Sequence, residues 1–165
     1  HGYNRVTQRK PMESAMQSFP PLYRVSASGK AEGSVTVSSP TLPDLATQPP
    51  PEFGGPVGYW SPETLLLAAV ADCYLLSFRA VARASKLAWE TLSCEVDGHL
   101  EKDDAGVVRF TRIELRPVLT LADQSDAARA EAVLRKAKRA CLVSNSLNAD
   151  VHLQTTVRPA ATAYA

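Results

Sequence analysis

The residues of this chain best equipped for chemistry are its three thiols. Cys73 lies in Ala71-Asp72-Cys73-Tyr74, inside a long apolar stretch, and Cys141 follows Ala137-Lys138-Arg139-Ala140, just ahead of the polar run Ser144-Asn145-Ser146. Cys94 alternates with polar residues beside Leu92, Val96 and Leu100. A thiolate is a nucleophile, a metal ligand and a redox centre, whereas a protonated buried thiol behaves as a small hydrophobe. Cys94, on the apolar side of an alternating stretch, takes the second reading. Cys73 and Cys141 admit both. Their spacing does not show that they meet, since a disulfide needs Cα atoms within about 7 Å.

Other site chemistries find no footing. There is no Cys-x-x-Cys or His-x-x-x-His pair, and His99 and His152 fall opposite the apolar strand faces, so a zinc site is rejected and no metal is expected. Gly54-Gly55-Pro56 lacks the lysine motif of a phosphate-cradling loop, and no nucleophile elbow begins a serine triad. No cofactor is called for.

The elements that must position the thiols can be read from pattern. Tyr23–Ser28 and Ser34–Ser39 favour β-structure, and Gly29-Lys30-Ala31-Glu32-Gly33 reads as their hairpin connection. Eight of the twelve prolines fall from Pro20 to Pro56, and from Pro40 to Trp60, where Gly54, Gly55 and Gly58 join them, the composition excludes a helix or central strand and predicts an ordered loop or extended cover. Ser61 can cap a helix, Pro62 suits its first position and Glu63 favours its positive end, so a buried helix is expected over 62–86. Half-buried strands follow over 91–101 and 107–121, joined by the turn Asp103-Asp104-Ala105-Gly106. Ala130, Val133, Leu134, Ala137 and Cys141 space a second helix over 126–143, ended by Ser144-Asn145-Ser146, and Val151, Leu153, Thr155 and Val157 mark a last strand. The order is that of an α+β protein without βαβ repetition.

Bulk properties bound the class. A chain of 165 residues favours one domain, here 19–160, with 1–18 set aside as a disordered tail or cloning remnant. A net charge of +1 gives no reason to expect nucleic acid or an anionic membrane as partner. The apolar run Leu65–Phe78 is interrupted by Asp72 and reads as too short and polar to span a membrane. No secretory leader is visible, and an odd number of cysteines fits a cytoplasmic protein with working thiols.

Two segments carry a resemblance. Gly54-Gly55, Trp60-Ser61-Pro62-Glu63 and Leu66-Leu67-Ala68-Ala69-Val70-Ala71-Asp72-Cys73 resemble the surroundings of the reactive cysteine in OsmC/Ohr proteins, the osmotically inducible and organic hydroperoxide resistance family. Ala137-Lys138-Arg139-Ala140-Cys141-Leu142-Val143-Ser144-Asn145-Ser146-Leu147 resembles the segment around their second cysteine. The likeness runs from about Tyr23 to Arg158. It implies an OsmC-like fold, with antiparallel curved sheets wrapped around long central helices in an intertwined homodimer. It implies a thiol-dependent peroxidase acting on organic hydroperoxides or hydrogen peroxide, recycled by a thiol reductant. Cys73 would be the peroxidatic cysteine, Cys141 the resolving cysteine, and Glu63 a carboxylate assisting the site. Phe53, Tyr59 and Trp60 are expected either to line an acyl-sized pocket or to pack as core and lid.

The chain departs from the family in two places. Family members hold the reactive thiolate with an arginine positioned by the glutamate, and no arginine stands between Arg24 and Arg79 here. Lys30 is the substitute the sequence offers, with Arg24 and Arg79 as alternatives, and a plain surface charge is the competing reading of each. Lysine lacks the planar two-point contact of arginine. Leu142 also stands where many members have proline. The missing arginine leaves a second functional reading: an OsmC-like binder of apolar ligands, or a redox switch without efficient turnover. A purely structural dimer would make both cysteine motifs coincidental.

Overall fold

The computed structural model describes residues 21–160, so the tail over 1–18 lies outside the described residues. The chain divides into two compact units between Ala46 and Thr47. In the first, β1 (Ser26–Ser28) and β2 (Val35–Ser38) pair antiparallel with Ala27 opposite Val37. Gly33, at φ 92°, takes the left-handed turn conformation in their connection. β3 (Leu45–Thr47) is the third strand of this sheet and ends the unit. It is a strand the sequence reading does not anticipate, formed in the proline-free interval between Pro43 and Pro49.

In the second unit, the proline-rich stretch is the expected ordered loop. Pro51–Phe53 forms a single 3-10 turn, and the Gln48 amide donates to the Trp60 carbonyl at 3.0 Å. Gly55 is required here, since a Cβ would sit 1.6 Å from the Pro49 carbonyl oxygen. The loop delivers the chain to α1 (Pro62–Ala84). Ser61 caps it reciprocally with Thr64: the Thr64 amide donates to Ser61 Oγ at 3.2 Å, and the Ser61 amide donates to Thr64 Oγ1 at 2.9 Å. The helix stops two residues before the expected Lys86, which itself takes a left-handed φ of 51°.

β4 (Trp89–Lys102) and β5 (Val108–Leu121) form a long antiparallel hairpin. Its turn is held by Asp103, whose carboxylate accepts from the amides of Ala105 and Val107 at 3.0 Å each. β5 alternates strictly: Ile113, Leu115, Pro117, Leu119 and Leu121 point into the core. α2 (Ala127–Ala140) then crosses over, and β6 (Asp150–Leu153) and β7 (Thr156–Pro159) run parallel to β5. The last strand expected from sequence is therefore two. Their pairings with β5 stop at Leu115 and restart at Val118, so the break straddles Pro117, which has no N–H to donate.

α1 buries Val70, Tyr74, Phe78, Val81 and Ala82, and α2 buries Ala130, Val133, Leu134 and Ala137, both at helical spacing. The Tyr74 hydroxyl donates to the Leu134 carbonyl at 3.2 Å, and the Phe78 ring meets Trp89 edge-on at 5.3 Å. By length and composition the 23-residue α1 could cross a membrane, further than its apolar run alone suggests, yet these contacts are those of a core helix. Much of its apolar surface stays unburied, with Leu76 51% exposed.

Gly98 is the point of closest approach between helix and hairpin. A Cβ there would lie 2.6 Å from Phe110 and 2.8 Å from Leu67 on α1. Gly98→Ala is expected to destabilise the protein by about 1–3 kcal/mol through overpacking, read as a lowered urea midpoint with unchanged slope. An unchanged midpoint would mean that the helix is not pinned at this glycine.

Candidate thiol site

Cys73 sits midway along α1, half-buried, one residue before the fully buried Tyr74. Cys141 is buried at the end of α2, where the chain turns extended, with ψ 103°, before the short α3 (Leu142–Asn145). Cys73 lies near enough to Cys141 to help raise the pKa of its thiol. Cys141 Sγ also lies 4.0 Å from the carbonyl oxygen of Val70, one turn before Cys73. Both cysteines are free thiols in this structure. A pair far apart in sequence is thus brought together by the packing of α2 on α1.

The helix break falls at Cys141, not at Ser144-Asn145-Ser146. Those polar residues hold the turn that follows: the hydroxyls of Ser144 and Ser146 donate to the carbonyls of Cys141 at 3.2 Å and Leu142 at 2.8 Å, and Asn145 Nδ2 donates to the Arg139 carbonyl at 2.9 Å. Leu142 points out, 75% exposed. Burial pushes the Cys141 thiol above its ordinary pKa; the Ser144 hydroxyl and amide oppose this, and the neighbouring Cys73 adds to it. Ser144, buried beside the thiol, is a site residue that the sequence reading used only as a helix breaker.

Glu63 stands in the first turn of α1. Its Oε2 is buried without a hydrogen-bond partner among the described residues. Lys30 lies exposed in the β1–β2 connection of the first unit. Arg24 is exposed, and its carbonyl accepts from the Ser39 hydroxyl at 3.0 Å. Arg79 is exposed on α1 and borders a cavity of about 270 Å³ with Leu75 and Trp89. Phe53, Tyr59 and Trp60 are 62%, 51% and 49% exposed, so within this chain they are surface rather than core side chains.

Cys94 packs partly buried against the core, opposite Pro117. Burial, only partly offset by Arg116, pushes its pKa up to about 11. At neutral pH it is a protonated thiol, inert beside a normal one.

The sequence residues 54–156 match the family model described as OsmC-like protein. The chain is 33% identical over 108 residues to the uncharacterised protein YmaD of Bacillus subtilis (strain 168), an alignment covering 64% of this chain and 71% of that one. Among solved structures, an organic hydroperoxide resistance protein OsmC from Legionella pneumophila superposes with TM-score 0.68 at 28% identity, covering 84% of this chain and 98% of that chain. An OsmC-like protein from Vibrio cholerae shares the fold with TM-score 0.75 at 18% identity, covering 82% and 99%. The organic hydroperoxide resistance protein OhrB of Bacillus subtilis gives TM-score 0.57 at 25% identity, covering 82% and 98%. The chain belongs to the OsmC-like family, with the α+β fold that the family shares.

The three thiols should label in a fixed order. Iodoacetamide at mildly alkaline pH, followed by peptide mass spectrometry, is expected to modify half-buried Cys73 well before Cys94 and Cys141. Equal rates at Cys73 and Cys141 would contradict the burial described here. The raised pKa of Cys94 also has a stability consequence. The folded state holds its proton more tightly than the unfolded chain, whose thiol titrates near 9.0 against about 11 folded. Its contribution is complete below the lower value and lost as pH rises through the upper one. Denaturation free energy should fall across that window, and fall less steeply in Cys94→Ala.

Proposed function

We propose that this protein is a thiol-dependent peroxidase that reduces organic hydroperoxides or hydrogen peroxide. The observation that carries the reading is the nearness of half-buried Cys73 to buried Cys141, whose Sγ lies 4.0 Å from the Val70 carbonyl one turn before Cys73. In this scheme the Cys73 thiolate attacks the distal peroxide oxygen, the O–O bond breaks, and an alcohol or water leaves as Cys73 becomes a sulfenic acid. The Cys141 thiol then attacks that sulfur, water departs, and a disulfide forms. An external thiol reductant restores both thiols by two exchanges. Cys73 is the residue peroxide can reach, while Cys141, held inward by Val70 and steadied by Ser144, waits for the oxidised sulfur.

A cation near the attacking sulfur would favour its thiolate. The unpartnered Glu63 oxygen would hold such a cation. The unburied apolar surface of α1, Leu76 included, supports a homodimer built on this helix. A reducing cytoplasm would suit the reaction, since the thiols must be regenerated. The second reading, a ligand-binding protein or slow redox switch, is favoured by the absence of arginine between Arg24 and Arg79.

The test is consumption of cumene hydroperoxide and of hydrogen peroxide with a dithiol reductant. Wild type is expected to turn over, Cys73→Ser to fall to background, and Cys141→Ser to complete one oxidation and then stall or over-oxidise. Full activity in Cys73→Ser would sink the mechanism. Absence of turnover in the wild type would move the protein to the second reading.

A further inference from the structure

Away from the thiols, α2 and β6 enclose a groove that peroxide chemistry does not use. One cavity of about 520 Å³ lies between Arg135, Lys138 and Arg139 on α2 and Val151, His152 and Leu153 on β6. A second, of about 560 Å³, continues past Lys138 and His152 toward Asn145 and Asp150. The wall is cationic. Glu131, the acid on this flank of α2, is already engaged by Arg135 at 3.3 Å and by the Thr155 hydroxyl at 2.7 Å. Among the described residues Lys138 and Arg139 form no ion pair.

Basic residues at a helix C-terminus have an ordinary role in complementing its dipole, and charge alone would carry nothing further. The strand beside them adds an independent observation. β6 pairs with β5 and ends its sheet, so among the described residues its outer N–H and C=O groups have no strand partner. Val151 and Leu153 supply apolar area in the same groove. A free strand edge recognises an extended backbone, and the positive wall selects its sign.

We propose that β6 and the cationic flank of α2 form a docking groove for an extended, acidic segment of a partner protein. Backbone bonds to the edge of β6 align the segment, its carboxylates meet Lys138, Arg139 and Arg135, and small apolar side chains rest on Val151 and Leu153. This site is separate from the peroxidase reading and stands whether or not that reading holds.

The experiment is fluorescence polarisation of the full chain with a labelled peptide of about eight residues alternating Glu and Val. Saturable binding is expected, weakened about tenfold by moderate salt and by the double variant Lys138→Glu/Arg139→Glu. The milder Lys138→Gln/Arg139→Gln should fall between, with circular dichroism confirming that both variants fold. The same peptide with proline at two adjacent central positions loses a pairing amide in either register and is expected to bind about tenfold more weakly. Four results would overturn the proposal: no saturable binding, an affinity indifferent to charge reversal, equal binding of the proline peptide, or a change in oligomeric mass on charge reversal. The third would mean charge attraction without strand addition, and the last that the groove belongs to a second copy.

Discussion

Everything at the candidate site depends on the packing of α2 against α1. The hydrogen bond from buried Tyr74 to the Leu134 carbonyl joins the two helices inside the core. Tyr74 follows Cys73 directly, and Leu134 lies two turns before Cys141, so this bond and the small residues Ala130 and Ala137 set the depth at which the thiols meet. Burial and the nearby Cys94, Glu131 and Cys141 all hold the phenol above its ordinary pKa, keeping it a donor. A shift of α2 along α1 by one turn, about 5.4 Å, would part the sulfurs entirely.

The hairpin β4–β5 works for the same end from the other side. Its second strand turns Ile113, Leu115, Pro117, Leu119 and Leu121 into the core, and Gly98 lets Phe110 and Leu67 close in at the same point. Its opposite face carries charge: Arg116 bonds Asp97 at 2.6 Å and reaches Glu114 at 3.4 Å, while Arg112 meets Glu114 at 3.3 Å. These exposed pairs are individually worth little, on the order of 1 kcal/mol or less. Their part is to keep the outer face soluble and the strand register fixed.

Local signals were legible in the sequence, and nonlocal ones were not. Ser61-Pro62 announces the start of α1, and Asp103–Gly106 announces the hairpin turn, because each is a backbone requirement met by its own residues. The end of α2 is different. Leu142 and Val143 continue the apolar spacing, so nothing in the local pattern marks Cys141 as the break. The division of the last strand is dictated by Pro117, a residue on the neighbouring strand more than thirty positions earlier. The same holds at the site: two cysteine segments can be picked out by type, but their meeting, the orphan oxygen of Glu63 and the place of Ser144 are properties of packing.

The break at Pro117 also bears on how the molecule survives at high concentration. A sheet with two open edges is a template for runaway strand addition, the first step of aggregation. Here the far edge is cut into two four-residue strands, and the near edge, β4, is kinked by register shifts at Trp89/Thr91 and His99/Leu100. Among the described residues the far edge is left open only in short stretches, enough to pair with a brief extended segment but not with a long strand. One proline without an amide proton thereby shortens that edge, at the cost of the one ladder bond its N–H would have donated.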